Sequence, residues 1–133
     1  MIKSDDLRFA RLIAAAVSRP PSAVPRIRTL RSIELTPRES AATVGLTTYL
    51  TGRHPRQSIT FYEGLFGALS DEAALAVIAH ELAHVWLNEH VGPEDSDRRE
   101  DAADALAREW GFGPELLALD AEAETVRPRR GRL

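Results

Sequence analysis

The run His80-Glu81-Leu82-Ala83-His84 constrains the fold of this chain more than any other feature, because it lies inside its clearest helical pattern. Apolar residues recur at helical spacing from about Asp71 to His90, where Val91-Gly92-Pro93 ends the pattern. Residues four apart lie on the same face of a helix, so the two histidines can direct their imidazoles at one ion. The pattern therefore predicts a long helix that presents a metal-binding pair.

Glu81 gives this pair a possible chemistry. Neutral imidazole is a good ligand for Zn2+, which polarises carbonyl groups and makes water more acidic. A glutamate beside the first histidine can take a proton from that water and pass it to a leaving amine without binding the metal itself. The motif HExxH thus predicts a zinc-dependent hydrolytic site with Glu81 as the general base.

A third protein ligand is needed, and three acidic residues can supply it. Glu100 lies sixteen residues after His84, which leaves room for a loop and the start of an antiparallel helix. It would complete a set of two histidines and one glutamate, with the fourth position open. Asp101 and Asp104 are the alternatives. Asp104, one turn beyond Glu100, can instead accept a hydrogen bond from a ligating histidine and fix its tautomer.

His90 is a further candidate, because it follows His84 at the spacing of the longer pattern HExxHxxGxxH. That pattern needs glycine where Leu87 stands, and it needs a methionine turn, although the only methionine is Met1. His90 is better explained as a residue at the end of a helix, where a cation favours the dipole.

The rest of the chain predicts an α+β fold in one domain over residues 1–133, with a small, twisted, mostly antiparallel sheet packed on the active-site helix. About residues 124–133 are predicted to form a flexible basic tail. The predicted elements are a helix at Asp6–Val17, strands at Ile27–Leu30, Ala42–Leu50 and Ser58–Tyr62, a turn at Thr36–Ser40, the long helix, a helix that reaches Trp110, and a short helix at Glu115–Ala123.

Composition narrows the class of protein. The chain has no cysteine, which excludes disulfides, a cysteine zinc site and a cysteine nucleophile. A net charge of -3 gives no case for a nucleic-acid partner. No apolar run approaches the length of a membrane span, and the acidic start of the chain argues against a signal peptide, so a cytoplasmic location is expected. The sequence does not indicate an oligomeric state.

The HExxH run, followed by Glu100-Asp101-Ala102-Ala103-Asp104, resembles the HExxH plus ExxxD signature of gluzincin metallopeptidases. The similarity, over about Ile59 to Phe112, is to the branch with HtpX-like proteases, CAAX prenyl proteases and minigluzincins. It implies a minigluzincin-like zincin domain, with zinc held by His80, His84 and Glu100. It also implies Glu81 as general base and acid, and Asp104 as a hydrogen-bond partner of a ligand.

The resemblance also implies a peptide or protein substrate. The edge strand of the sheet, expected at Ser58–Tyr62, would pair with an extended peptide through backbone hydrogen bonds. Because some minigluzincins are latent, Glu115–Leu133 is a candidate for a terminus that lies in the cleft. The donor for the oxyanion stays open among His54, Tyr62, Tyr49, His90 and several arginines.

Two other functions compete with peptide hydrolysis. One is a zinc-binding regulatory or partner-specific protein of zincin fold with little or no general protease activity, as the HExxH of ImmA/IrrE-type regulators and the small size of the chain suggest. The other is a helical interaction domain without metal.

Overall fold

The computed structural model describes residues 2–20, 27–38, 43–92 and 96–126. Its strands are β1 (Ile2–Lys3), β2 (Leu30–Thr36), β3 (Gly45–Leu50) and β4 (Arg56–Tyr62). Its helices are α1 (Leu7–Ser18), α2 (Glu63–Gly67), α3 (Asp71–His90), α4 (Ser96–Ala107) and α5 (Gly113–Val126), with a π-helical turn at Arg108–Phe112 between the last two. The predicted α+β class is confirmed.

The four strands form one sheet in the order β1-β2-β4-β3. β1 and β4 both run parallel to β2, whereas β3 and β4 are antiparallel. The prediction of a mostly antiparallel sheet is therefore wrong, and the sheet is mixed. β3 and β4 form a hairpin whose first strand, β3, runs opposite to β2, so its second strand, β4, runs in the same direction as β2.

The same strand order corrects the predicted edge. The segment Ser58–Tyr62 belongs to β4, which lies inside the sheet between β2 and β3. The edge strand next to β4 is β3. Both segments are short, β-prone and joined by a tight connection, so the local sequence does not distinguish the inner strand from the outer one.

Most predicted helices agree with the structure. Asp6 caps α1 by accepting a hydrogen bond from the backbone N–H of Phe9 at 2.8 Å, and Ser70 caps α3 in the same way through Ala73. The strand predicted at Ile27–Leu30 is misplaced, because β2 starts at Leu30 and buries Leu30, Ile33 and Thr36. The predicted turn at Thr36–Ser40 starts on the last residue of that strand, and residues 39–42 lie outside the described part.

The long helix α3 is the centre of the domain and contacts α1, α4, α5 and β3. Phe9, Phe61 and Phe66 form an aromatic cluster in the core, with ring centroids 5.3–5.6 Å apart. Because α3 is held by apolar contacts on several sides, its histidines are carried by a rigid element.

The chain turns sharply between α4 and α5. Gly111 has a φ of 96°, a backbone conformation that glycine adopts without steric cost. The Arg19 guanidinium lies 4.3 Å from the centre of the Phe112 ring and packs over this turn. The turn directs α5 back along α3. α5 continues to Val126, so it includes the start of the predicted basic tail, and residues 127–133 lie outside the described part.

No helix in the described ranges is both long and apolar enough to cross a membrane. The cytoplasmic location stays a prediction.

Candidate metal centre

Three side chains from two helices meet at one point. His80 and His84 are one turn apart on α3, and Glu100 faces them from α4. The Nε2 atoms of the two histidines are 3.1 Å apart. The Glu100 carboxylate reaches Nε2 of His80 at 2.8 Å and Nε2 of His84 at 3.0 Å. The structure thus brings together the three residues that the sequence predicted as ligands.

The chemistry of these three side chains fits a metal ion. Asp104 lies 2.8 Å from Nδ1 of His80, so this ring nitrogen carries the proton that the carboxylate accepts. In the neutral ring, Nε2 then points a lone pair at the Glu100 carboxylate. Nε2 of His80 and the Glu100 carboxylate are then two acceptors that face each other, and they repel unless a proton or a cation lies between them. Ligands of tetrahedral zinc at about 2.0–2.1 Å are about 3.3 Å apart, close to the separations seen here.

The charges of the cluster also favour a cation. Burial by itself would lower the pKa of His80, but hydrogen bonds with Asp104 and Glu100 and the charges of Glu81 and Glu100 raise this pKa to about 10. The hydrogen bond from His80 lowers the pKa of Glu100 to about 2. Burial and the positive charge on His80 lower the pKa of His84. Glu100 therefore stays ionised and holds positive charge at this point.

Glu81 lies beside the cluster but does not join it. Its side chain is only 7% exposed, and the hydroxyl of Thr47 donates a hydrogen bond of 2.7 Å to its Oε1 atom. Within the described residues, its Oε2 atom has no hydrogen-bond partner. A carboxylate held at one oxygen and open at the other is suited to accept a proton from a molecule in the cleft.

Close packing of β3 on α3 makes the contact between Thr47 and Glu81 possible. A Cβ atom at Gly45 would lie 2.8 Å from the ring of Phe61 and 3.3 Å from Cγ of Glu81. Only glycine lets the edge strand approach α3 this closely at that position.

The site opens into a cleft with two arms that share Gly45, Glu81 and Glu100. The large arm, about 470 Å³, is also lined by Asp104 and Arg108, by Val44 just before β3, and by apolar residues of α3 and α5, namely Val77, Leu116 and Leu119. The small arm, about 240 Å³, is also lined by Leu46, Thr47, His84, Asn88 and Arg99. α5 thus forms one wall of the large arm.

Several residues considered from the sequence lie elsewhere. The ring of His90 stacks on Trp86 with centroids 4.5 Å apart, and its Nε2 lies 3.2 Å from Glu89, so His90 is not part of the cluster of candidate ligands. Asp101 is exposed and is not part of the cluster. Of the residues considered as oxyanion donors, His54, Tyr62, Tyr49 and His90 line neither arm, whereas Arg108 and Arg99 do.

Sequence reasoning missed Gly45, Thr47 and Asn88. Each owes its place in the cleft to the packing of the sheet on α3, and neither spacing nor composition signals that contact. The alternation of β3 could have suggested that Gly45, Thr47 and Tyr49 share a face. It could not have shown that this face meets Glu81.

A comparison with protein families agrees with the geometry. Residues 38–109, more than half of the chain, match peptidase family M48. The matched range includes β3, all of α3 and the carboxylates of α4. Neither a curated protein nor a solved structure matched the chain. From the extent of the family match, the chain belongs to peptidase family M48, a family of metallopeptidases.

Proposed function

We propose that the protein is a zinc-dependent endopeptidase in which His80, His84 and Glu100 bind one zinc ion and Glu81 is the general base. The observation that carries this proposal is the convergence of the three ligand atoms in a cleft that also holds a buried, oriented carboxylate. Two histidines and one glutamate form a ligand set typical of catalytic zinc, which keeps one position open, rather than of structural zinc.

Zinc bound here would supply a Lewis acid for the substrate carbonyl and would lower the pKa of water. Glu81 accepts a proton from the attacking water through Oε2, while Thr47 holds Oε1. The protonated Glu81 then gives this proton to the nitrogen of the scissile bond, so that the product leaves as a neutral amine. Asp104 keeps the Nδ1 proton of His80 in place, which directs Nε2 to the metal position.

The shape of the cleft supports an extended peptide as substrate. β3 pairs on one side with β4; its first residue, Gly45, lines both arms, and Leu46 and Thr47 line the small arm. An extended chain can add to the free side of such a strand through backbone hydrogen bonds. Along α3, the large arm is lined by Val77 and His80 and the small arm by His84 and Asn88, so the arms lie towards opposite ends of this helix and a chain can continue past Glu81 at both ends. This favours an endopeptidase.

The first experiment measures zinc per chain by elemental analysis in the wild type, in Glu100→Ala and in Asp101→Ala. Asp101 is a matched control, because it is the neighbouring acidic residue on α4 and lies outside the cluster. About one zinc per chain is expected in the wild type and in Asp101→Ala, and much less in Glu100→Ala. Equal zinc content in all three proteins would contradict Glu100 as a ligand.

The second experiment measures cleavage of a pooled library of internally quenched decapeptides by the zinc-loaded wild type and by Glu81→Gln. The amide of glutamine cannot accept the proton, so cleavage should fall by roughly 10²–10⁴-fold while zinc content is kept. Zinc binding without any cleavage by the wild type would contradict the peptidase proposal. Equal rates in the two proteins would contradict the role of Glu81.

A further inference from the structure

A chain of hydrogen bonds runs through the buried side chain of Gln57 to the small arm of the cleft. Gln57 lies on the inner strand β4 and is only 1% exposed. Its Nε2 atom donates to the hydroxyl of Thr29 and to the backbone carbonyl of Val85, both at 2.9 Å. Its Oε1 atom accepts a hydrogen bond of 3.0 Å from Nδ2 of Asn88.

Chemistry fixes the direction of every bond in this chain. The Thr29 hydroxyl donates to the Glu89 carboxylate at 2.7 Å, so it can only accept from Gln57. The carbonyl of Val85 is also an acceptor. Both amide hydrogens of Gln57 are therefore used, and its oxygen must accept from Asn88. The NH2 group of Asn88 thus faces Gln57, and its carbonyl oxygen forms the opposite end of the amide.

That free end belongs to the cleft. Asn88 is one turn beyond His84 on α3 and lines the small arm, across from Leu46 and Thr47 of β3. Among the described residues, nothing donates a hydrogen bond to the carbonyl oxygen of Asn88. This oxygen is a neutral acceptor of fixed orientation in the small arm. The two carboxylates that also line this arm have other proposed roles, Glu81 as the general base and Glu100 as a metal ligand.

An extended peptide needs such an acceptor. Successive backbone groups of an extended chain point to opposite sides, so a peptide paired with β3 directs its other N–H groups away from that strand. An N–H group that enters a cleft without a partner weakens binding. We propose that Asn88 accepts a hydrogen bond from a backbone N–H of the bound peptide and that Gln57 holds it in the required orientation. This inference rests on the proposed peptidase function.

Kinetics and binding test this role with Asn88→Leu and with Thr29→Val as a matched control. Thr29 belongs to the same hydrogen-bond chain but is not among the residues that line the cleft. The probe is the decapeptide that the zinc-loaded wild type cleaves fastest from the pooled library. Loss of one neutral hydrogen bond should raise KM in Asn88→Leu roughly 3- to 10-fold, with kcat little changed. Thr29→Val should lower Tm but leave KM unchanged.

A chemical change in the peptide isolates the N–H group. In a series of depsipeptides, each backbone N–H in turn is replaced by an ester oxygen, and Kd is measured with Glu81→Gln, in which cleavage is slowed. We expect the ester at one position to raise Kd roughly 3- to 10-fold in Glu81→Gln. In the double variant Glu81→Gln/Asn88→Leu, the ester at that position should not raise Kd, because the acceptor of this N–H group is already absent.

The outcomes separate this inference from the proposed function. If the wild type cleaves peptides but each ester position has the same effect with and without Asn88→Leu, the role of Asn88 is wrong and the peptidase proposal stands. If Asn88→Leu and Thr29→Val change KM equally, the hydrogen-bond chain has only a structural role. If zinc-loaded wild type cleaves no peptide in the library, the proposed function itself is contradicted.

Discussion

Gly45 offers the sharpest test of how the edge strand is held against the active-site helix. In Gly45→Ala, the new methyl group would lie 2.8 and 2.9 Å from two ring carbons of Phe61 and 3.3 Å from Cγ of Glu81. The Phe61 ring is fully buried and packs against Phe9 and Phe66, so it has no space into which to move. The strand must therefore shift away from α3.

The cost of this change follows from overpacking. An extra methyl in a tightly packed core costs about 1–3 kcal/mol. With about 4 °C per kcal/mol for a chain of this length, Tm should fall by roughly 4–12 °C. Movement of β3 also lengthens the hydrogen bond between Thr47 and Glu81, so kcat should fall even at temperatures where the variant is fully folded.

Differential scanning calorimetry gives Tm, and peptide cleavage well below Tm gives kcat. Gly64→Ala is the matched control, because Gly64 lies within α2 and a Cβ atom there would meet nothing within 4 Å. Alanine in a helix is expected to leave Tm unchanged or to raise it slightly. If Gly45→Ala keeps the Tm and the kcat of the wild type, the close approach of β3 to Glu81 is not what the site requires.

Three further predictions address individual contacts. Thr47→Val removes the donor to Glu81, so kcat should fall roughly 10-fold or more. A kcat restored in Thr47→Ser would support the hydrogen bond, and an unchanged kcat in Thr47→Val would refute it. Asp104→Asn removes the charge behind His80 and should weaken zinc binding roughly 10–100-fold in a chelator competition; equal affinity would contradict this. Hydrogen bonds from Thr29 and Arg28 outweigh burial and hold the pKa of Glu89 below its usual 4.5. Its ionised form therefore stabilises the fold above that pH, and this contribution is lost as pH falls through the lower pKa of the folded state. Urea unfolding of Glu89→Gln should show a weaker fall in stability under acid, and identical acid profiles would refute this role.

The parts of the site that depend on helical geometry can be predicted from the amino-acid sequence. His80 and His84 are four residues apart, and a periodic apolar pattern fixes the face on which both lie. Glu100 and Asp104 are also four residues apart, so both lie on one face of α4. When this face packs against α3, Glu100 reaches both histidines and Asp104 reaches His80. The start of α1 at Asp6 is equally local, because one aspartate satisfies a backbone N–H three residues later. Interactions of this kind need only near neighbours along the chain.

Which strand borders the cleft and which residues surround Glu81 depend on tertiary packing. The order of β3 and β4 depends on pairing with β2, which neither segment encodes locally, so Ser58–Tyr62 was wrongly predicted as the edge. Thr47 meets Glu81 across 34 residues of sequence, and Asn88 meets Gln57 across 31. Such contacts arise only when the sheet packs on α3 in one register, because a strand shifted by one residue would turn the opposite set of side chains towards the helix.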